Sequence, residues 1–196
     1  MPKSSKFLAI LDAFWDRIAE QNPRTQMKKR KSQLFLLIAA LIVFAANAAA
    51  QSAFNDPGAD YTFAVPEGKW TMTVRPSATN PNVEYVYGDR RDGYMTIRKL
   101  TVAKDAVLSD VIQDEAQNVQ LRPGYVANKE ENFAGKLRGS VFNFEYVASS
   151  HPMAGRYYFL RADPTTVYVL RFSGEKDSLR SLRAQTDSIA RTFSVK

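Results

Sequence analysis

The feature that most limits what this chain can become is a run of thirteen residues, Leu34 to Ala46, without one polar side chain. Lys28, Lys29, Arg30 and Lys31 stand just before it, behind Met27, and Asn47, Ala48, Ala49, Ala50 and Gln51 follow it. A basic segment, an apolar core and small residues around a cut are the layout of a secretory signal peptide. The cations stay on the cytoplasmic side while the apolar run partitions into lipid. Small side chains at Ala48 and Ala50 fit the narrow subsites of a signal peptidase. Cleavage after Ala50 leaves Gln51 first, and cleavage after Ala48 is the competing site. The alternative is a retained anchor. A spanning helix needs roughly 20 apolar residues, whereas the run extended to Ala50 reaches only seventeen and includes Asn47. Because the chain has no cysteine, a lipidated residue at the cut is excluded.

Residues 1–26 place Phe7, Leu8, Ile10, Leu11, Phe14, Trp15 and Ile18 on a helical period, with Asp12, Asp16, Arg17 and Glu20 filling much of the opposite face. Asn22-Pro23 would stop such a helix, since proline disfavours helical geometry in the residue before it. Two readings stand: an amphipathic helix on the inner membrane face, or a leader that is not translated because synthesis begins at Met27.

Charge is uneven along the chain. The whole carries +7, of which residues 1–50 supply +5, from eight Lys and Arg against three Asp and Glu. The remainder has nineteen against seventeen, or +2. A nucleic-acid domain concentrates its basic residues on a face of the folded part, and residues 51–196 show no such pattern. Arg90-Arg91 sits between Asp89 and Asp92 and is locally compensated.

Residues 51–196 are enough for one domain that buries ~68–70% of its unfolded surface. Export without cysteine fits a bacterial periplasm better than a eukaryotic secreted module, which at this size often carries disulfides. After a flexible lead-in at residues 51–60, strands are expected at Tyr61–Val65, Trp70–Arg75, Val83–Tyr87 and Tyr94–Val102. A helix follows at Ser109–Leu121, capped by Ser109 and closed by Arg122-Pro123-Gly124. Its apolar face is Leu108, Ile112, Ala116 and Val119. A strand over Tyr125–Phe133 and a meander over Leu137–Ala148, Arg156–Ala162 and Val167–Ser173 come next, with SSHPMAG as one connection. The near-continuous apolar runs VFNFEYV, YYFL and VYVLRF are those of strands covered on both faces. A last helix carries Leu179, Leu182, Thr186, Ile189 and Phe193 at spacings of three and four, capped by Asp177 or Ser178. The fold class is therefore α+β, an α/β/α sandwich with a central antiparallel sheet of about six to eight strands and two main helices.

YTFAVPEGKW at the start, FAGKLRG in the middle, and VYVLRFSG followed by SIARTFSV at the end are an opening strand with Pro-x-Gly, a glycine-marked turn before a long strand, and a helix behind the last strand. In these the stretch Tyr61–Lys196 resembles the PsbP-like superfamily, in particular its exported bacterial DcrB-like members. That resemblance implies an α/β/α sandwich and adaptor, assembly or binding work. It transfers no site residue, and the metal binding of some plant members is not carried over to a chain with one histidine.

Chemistry is sparse. His151, the single histidine, adjoins Ser149 and Ser150, and a nucleophile–base pair needs a side-chain hydrogen bond; the G-x-S-x-G elbow is absent. Catalytic zinc commonly draws on two or three histidines. Glu130 and Glu131 would point to opposite faces of a strand. Asp89 and Asp92 share a loop but lack the EF-hand pattern. No catalytic, cofactor or metal site is expected, and no cofactor. The expected role is that of an exported, periplasmic, non-enzymatic domain that binds a protein or an envelope component. An apolar-ligand or lipid carrier is the alternative, and a hydrolase centred on His151 comes third. Membrane contact is expected through residues 27–50 before cleavage.

Overall fold

The computed structural model describes residues 51–77 and 79–196, all within one compact unit, Ala49–Lys196. The expectations for residues 1–50, including Ala48 and Ala50, lie outside the described residues. Gln51 is the first described residue and opens a strand.

The chain runs β1 (Gln51–Phe54), β2 (Tyr61–Pro66), β3 (Trp70–Val74), β4 (Val83–Tyr87), β5 (Tyr94–Thr101), α1 (Leu108–Gln120), β6 (Val126–Ala127), β7 (Glu131–Ala134), β8 (Arg138–Ala148), β9 (His151–Asp163), β10 (Thr166–Glu175), α2 (Lys176–Ser181), α3 (Arg183–Thr192) and β11 (Ser194–Val195). Eight strands form one antiparallel sheet in the order β3-β4-β5-β10-β9-β8-β6, with β7 also on β8. A second, three-stranded sheet has the order β1-β2-β11.

Alternation along the central strands decides the layers. Side chains on a strand point to opposite faces in turn. Along β10, Val167 and Val169 join one core cluster while Tyr168, Leu170 and Phe172 join the other. On β9, Phe159 and Tyr158 divide in the same way. One face is covered by α1, whose Val111, Ile112, Ala116 and Val119 are buried against Phe142, Phe144 and Tyr146 of β8. The other is covered by α2, α3 and the small sheet, whose Tyr61, Phe63, Leu179, Leu182, Ile189 and Phe193 meet Tyr158, Tyr168 and Phe172. Full burial on both sides explains the unbroken apolar runs of β8, β9 and β10. The α+β sandwich expected from the sequence is the architecture observed.

Several local expectations are corrected. The lead-in at 51–60 is not loose: β1 pairs with β2, Gln51 opposite Pro66. Phe54 is its anchor, buried and stacked 4.7 Å from Phe63. Asp56-Pro57-Gly58 then turns the chain, the Ala59 N–H donating to the Asp56 carbonyl at 3.1 Å. Ser109 does not cap α1. The helix starts one residue earlier, Val107 holds the cap position in extended geometry without a side-chain bond, and Asp110 lies in the first turn. Leu108, half-buried against the core, sets that start.

The single strand expected at Tyr125–Phe133 is two short ones, β6 and β7, both borrowing the edge of β8. The SSHPMAG connection shrinks to Ser149-Ser150, both at positive φ (50° and 63°), and His151 already pairs with Ala148. Two residues with positive φ are what a tight hairpin turn demands. The last helix is two helices, making three in the domain. Leu182, at φ −84° and ψ 0°, interrupts it between α2 and α3. The phase of the apolar face survives because that backbone is near-helical, so spacing alone did not reveal the break.

Candidate functional site

The residues singled out for chemistry are not brought together. His151 starts β9, half exposed, with Nδ1 3.9 Å from the Glu175 carboxylate. Ser149 and Ser150 are spent on the turn beside it. Asp89 closes its own loop: its carboxylate accepts the Arg91 N–H at 2.8 Å and its carbonyl accepts the Asp92 N–H at 3.0 Å. Glu131 lies on β7 and pairs with Arg183 at 3.6 Å, while Glu130 precedes that strand. Among the described residues no group of three or more His, Asp or Glu side chains could hold a metal ion. No helix among them is long and apolar enough to cross a membrane.

The structure instead points to a cleft of about 410 Å³ where the β6–β7 edge, β8 and β9 meet α2 and the start of α3. Its base is a buried polar cluster around Arg156 of β9. Arg156 donates from Nε to the Tyr158 hydroxyl at 2.6 Å, from Nη1 to Asn143 Oδ1 at 2.6 Å and from Nη2 to Asp187 Oδ1 at 2.7 Å. The Tyr158 hydroxyl donates to the same Asp187 oxygen at 2.5 Å and sits 3.0 Å from Thr186 Oγ1.

Burial works against the Arg156 charge, but Tyr158 and Asp187 more than offset it and hold its pKa above the ordinary value. Burial, reinforced by the bond to Asp187, pushes the Tyr158 phenol well up. All three guanidinium nitrogens are engaged, so Arg156 serves as a clamp. It ties β9 to β8 through Asn143 and to α3 through Asp187, at a point where an unpaired buried charge would be expensive.

The rim carries the charge open to solvent. Lys129, Lys176, Arg180 and Arg183 line it, with Glu131 and Glu145 as the carboxylates. Lys176 donates to Glu145 Oε2 at 2.6 Å, linking α2 to β8. Arg180 and Arg183 remain largely exposed. Gly155 lies in the wall because the Phe144 ring occupies the space a Cβ would need. The cleft holds no nucleophile with a base beside it. Its make-up is a rim of cations and two carboxylates over the hydrogen-bonded Arg156 cluster.

Sequence reasoning missed this cluster. A charged residue opening the apolar strand RYYFL was the available signal for Arg156, but Asp187 lies 31 residues on and nothing local links the two. Of the space between α1 and the sheet, where an apolar ligand would have been sought, most is filled by the apolar core, and the cavity at the C-terminal end of the helix is lined by Arg122, Arg171, Tyr94, Tyr146 and Tyr157.

No family model and no curated protein matches the sequence. Solved structures do. LpqN, described as involved in cell envelope biogenesis of Mycobacterium tuberculosis, is 16% identical with a TM-score of 0.50, over 78% of this chain and 94% of that one. Cyanobacterial PsbP (CyanoP) from Synechocystis sp. PCC 6803 is 14% identical with a TM-score of 0.51, over 76% of this chain and 95% of that one. At such identities the likeness concerns the fold. With its helices on both faces of one antiparallel sheet, the chain has the PsbP-like fold.

Proposed function

We propose that this is an exported, extracytoplasmic, non-enzymatic accessory domain that binds a protein or an envelope component through the cleft beside α2. The observation that carries the reading is the division of labour in that cleft. Its one deeply buried cation is consumed by internal bonds, while Arg180 and Arg183 stand exposed on the rim without a catalytic group between them. The signal-peptide layout of residues 27–51 supports export. The described role of LpqN in cell envelope biogenesis supports an envelope setting. The carrier reading has less behind it, since the cavity at the end of α1 is lined mostly by polar groups and the rest of the space under α1 is filled by apolar core side chains.

Charge complementarity at a rim governs encounter and partner choice. Cross-linking in intact cells with the tagged full-length protein, followed by purification, is expected to recover an envelope partner. The Arg180→Glu/Arg183→Glu double variant should lower that recovery at least about fivefold with the circular dichroism spectrum unchanged. Equal recovery by both forms would remove the cleft from the account, and co-purified lipid without a protein would favour the carrier.

A further inference from the structure

On the face opposite that cleft, a cavity of about 300 Å³ opens between the C-terminal part of α1 and the sheet. Register places Thr96, Arg171 and Tyr157 side by side on β5, β10 and β9, and sets Tyr94 opposite Ser173 two residues along. Two residues along a strand return to the same face, so all five belong to the cavity side. Beneath the body of α1 the corresponding positions of β10 are filled by Val167 and Val169. At Ser173 the side chain is small, and the floor drops.

The lining is strongly one-signed. It presents two guanidiniums, three phenol rings and two aliphatic hydroxyls, and no carboxylate. Arg122, just past the end of α1, lies with its guanidinium 4.7 Å from the Tyr146 ring centre, and Arg171 lies 5.6 Å from that of Tyr157. Stacking of this kind holds a guanidinium in place while leaving its N–H edge free to donate. One carboxylate, Glu115 of α1, serves both Arg171 and Arg98. Arg122 has no carboxylate partner among the described residues.

Arg171 Nε is buried and lacks a hydrogen-bond partner. A buried donor left unpaired is costly, and a guanidinium cannot shed its charge to escape that cost. Burial, followed by the nearby Arg98, lowers the Arg171 pKa, and both penalties fall when an anion is present. Burial, followed by Tyr146, pushes the Tyr157 phenol up to about 12, so at neutral pH its hydroxyl remains a donor. In the first cleft Lys176, Arg180 and Arg183 each pair with a carboxylate; here Arg171 pairs with Glu115, and Arg122 is left without one among the described residues.

The geometry points to an anion site: we infer that this cavity binds a phosphoryl group, with Arg171 and Arg122 taking its oxygens from two sides and Tyr157 and Ser173 donating hydroxyls. Paired guanidiniums suit a tetrahedral oxyanion with several terminal oxygens, and the volume suits a small ligand or one headgroup. The phosphoryl group belongs either to a soluble molecule or to a lipid headgroup.

Inorganic phosphate titrated into the full-length protein, followed by calorimetry and by the melting temperature, distinguishes these outcomes together with flotation on phosphatidylglycerol and phosphatidylcholine vesicles. Saturable phosphate binding is expected, weakened about tenfold by Arg122→Gln and by Arg171→Gln, since each removes charge-assisted hydrogen bonds. Arg183→Gln, in the other cleft, should leave it unchanged. Arg122 is exposed, so its variant keeps the test informative where Arg171→Gln unfolds. Phosphate binding without flotation assigns a soluble source. Flotation on phosphatidylglycerol that Arg122→Gln abolishes assigns a headgroup. Neither binding nor Arg122-dependent flotation, or binding that Arg122→Gln leaves within about twofold, would overturn the site and leave the first cleft untouched.

Discussion

Phe193→Ala is expected to destabilise the domain by about 3–5 kcal/mol, the cost of emptying a large aromatic position in a packed core. Phe193 is fully buried and sits where three layers join. Its ring centre lies 5.2 Å from Tyr61 and 6.3 Å from Phe63 of β2, and 5.2 Å from Tyr168 of β10. It also ends α3 in extended geometry, so that Ser194 and Val195 can pair with Thr62 and Tyr61. Removing the ring therefore loosens the small sheet from the large one as well as leaving a void. Urea unfolding followed by aromatic fluorescence measures the loss. Phe193→Leu, which keeps much of the volume, should cost clearly less. Equal losses for the two would mean that the ring stack contributes little beyond bulk.

The second large effect belongs to the clamp below the cleft. Asp187→Ala is expected to cost about 3 kcal/mol, the low end for removing one partner of a buried ion pair, because the Asp187 side chain keeps 25% of its exposure while that of Arg156 keeps 8%. The variant leaves the buried Arg156 guanidinium with only Asn143 and the Tyr158 hydroxyl as partners and also takes the acceptor from that hydroxyl. Adding Arg156→Met should recover at least about 1 kcal/mol, since an apolar replacement removes the stranded charge. A double variant less stable than Asp187→Ala alone would show that Arg156 stabilises through packing and Asn143, not through its pairing with Asp187.

These two sites show what the sequence disclosed and what it hid. Phe193 was legible: with Leu179, Leu182, Thr186 and Ile189 it keeps a helical period, and all five are buried. The central strands were legible for the same reason, because burial on both faces leaves few polar interruptions in β8, β9 and β10. Features set by pairing across the chain were not. The break at Leu182 preserves the period that a reader uses to detect a helix. β1 is a short strand whose only strong signal is Phe54, and it exists because β2 offers an edge. β6 and β7 likewise take their form from β8, which the intervening Lys129 and Glu130 do not announce. Arg156, Asn143 and Asp187 come from three elements, and only tertiary structure makes them neighbours. His151, conspicuous by being alone, lies at the exposed start of a strand.

Residence of the domain outside the cytoplasm is tested most directly by the N-terminal sequence of the protein recovered from fractionated cells. A mature chain starting at Gln51 in the periplasmic fraction is the result expected, with the first strand beginning at the new N-terminus. An intact chain starting at Met1 in the soluble cytosolic fraction would contradict the account.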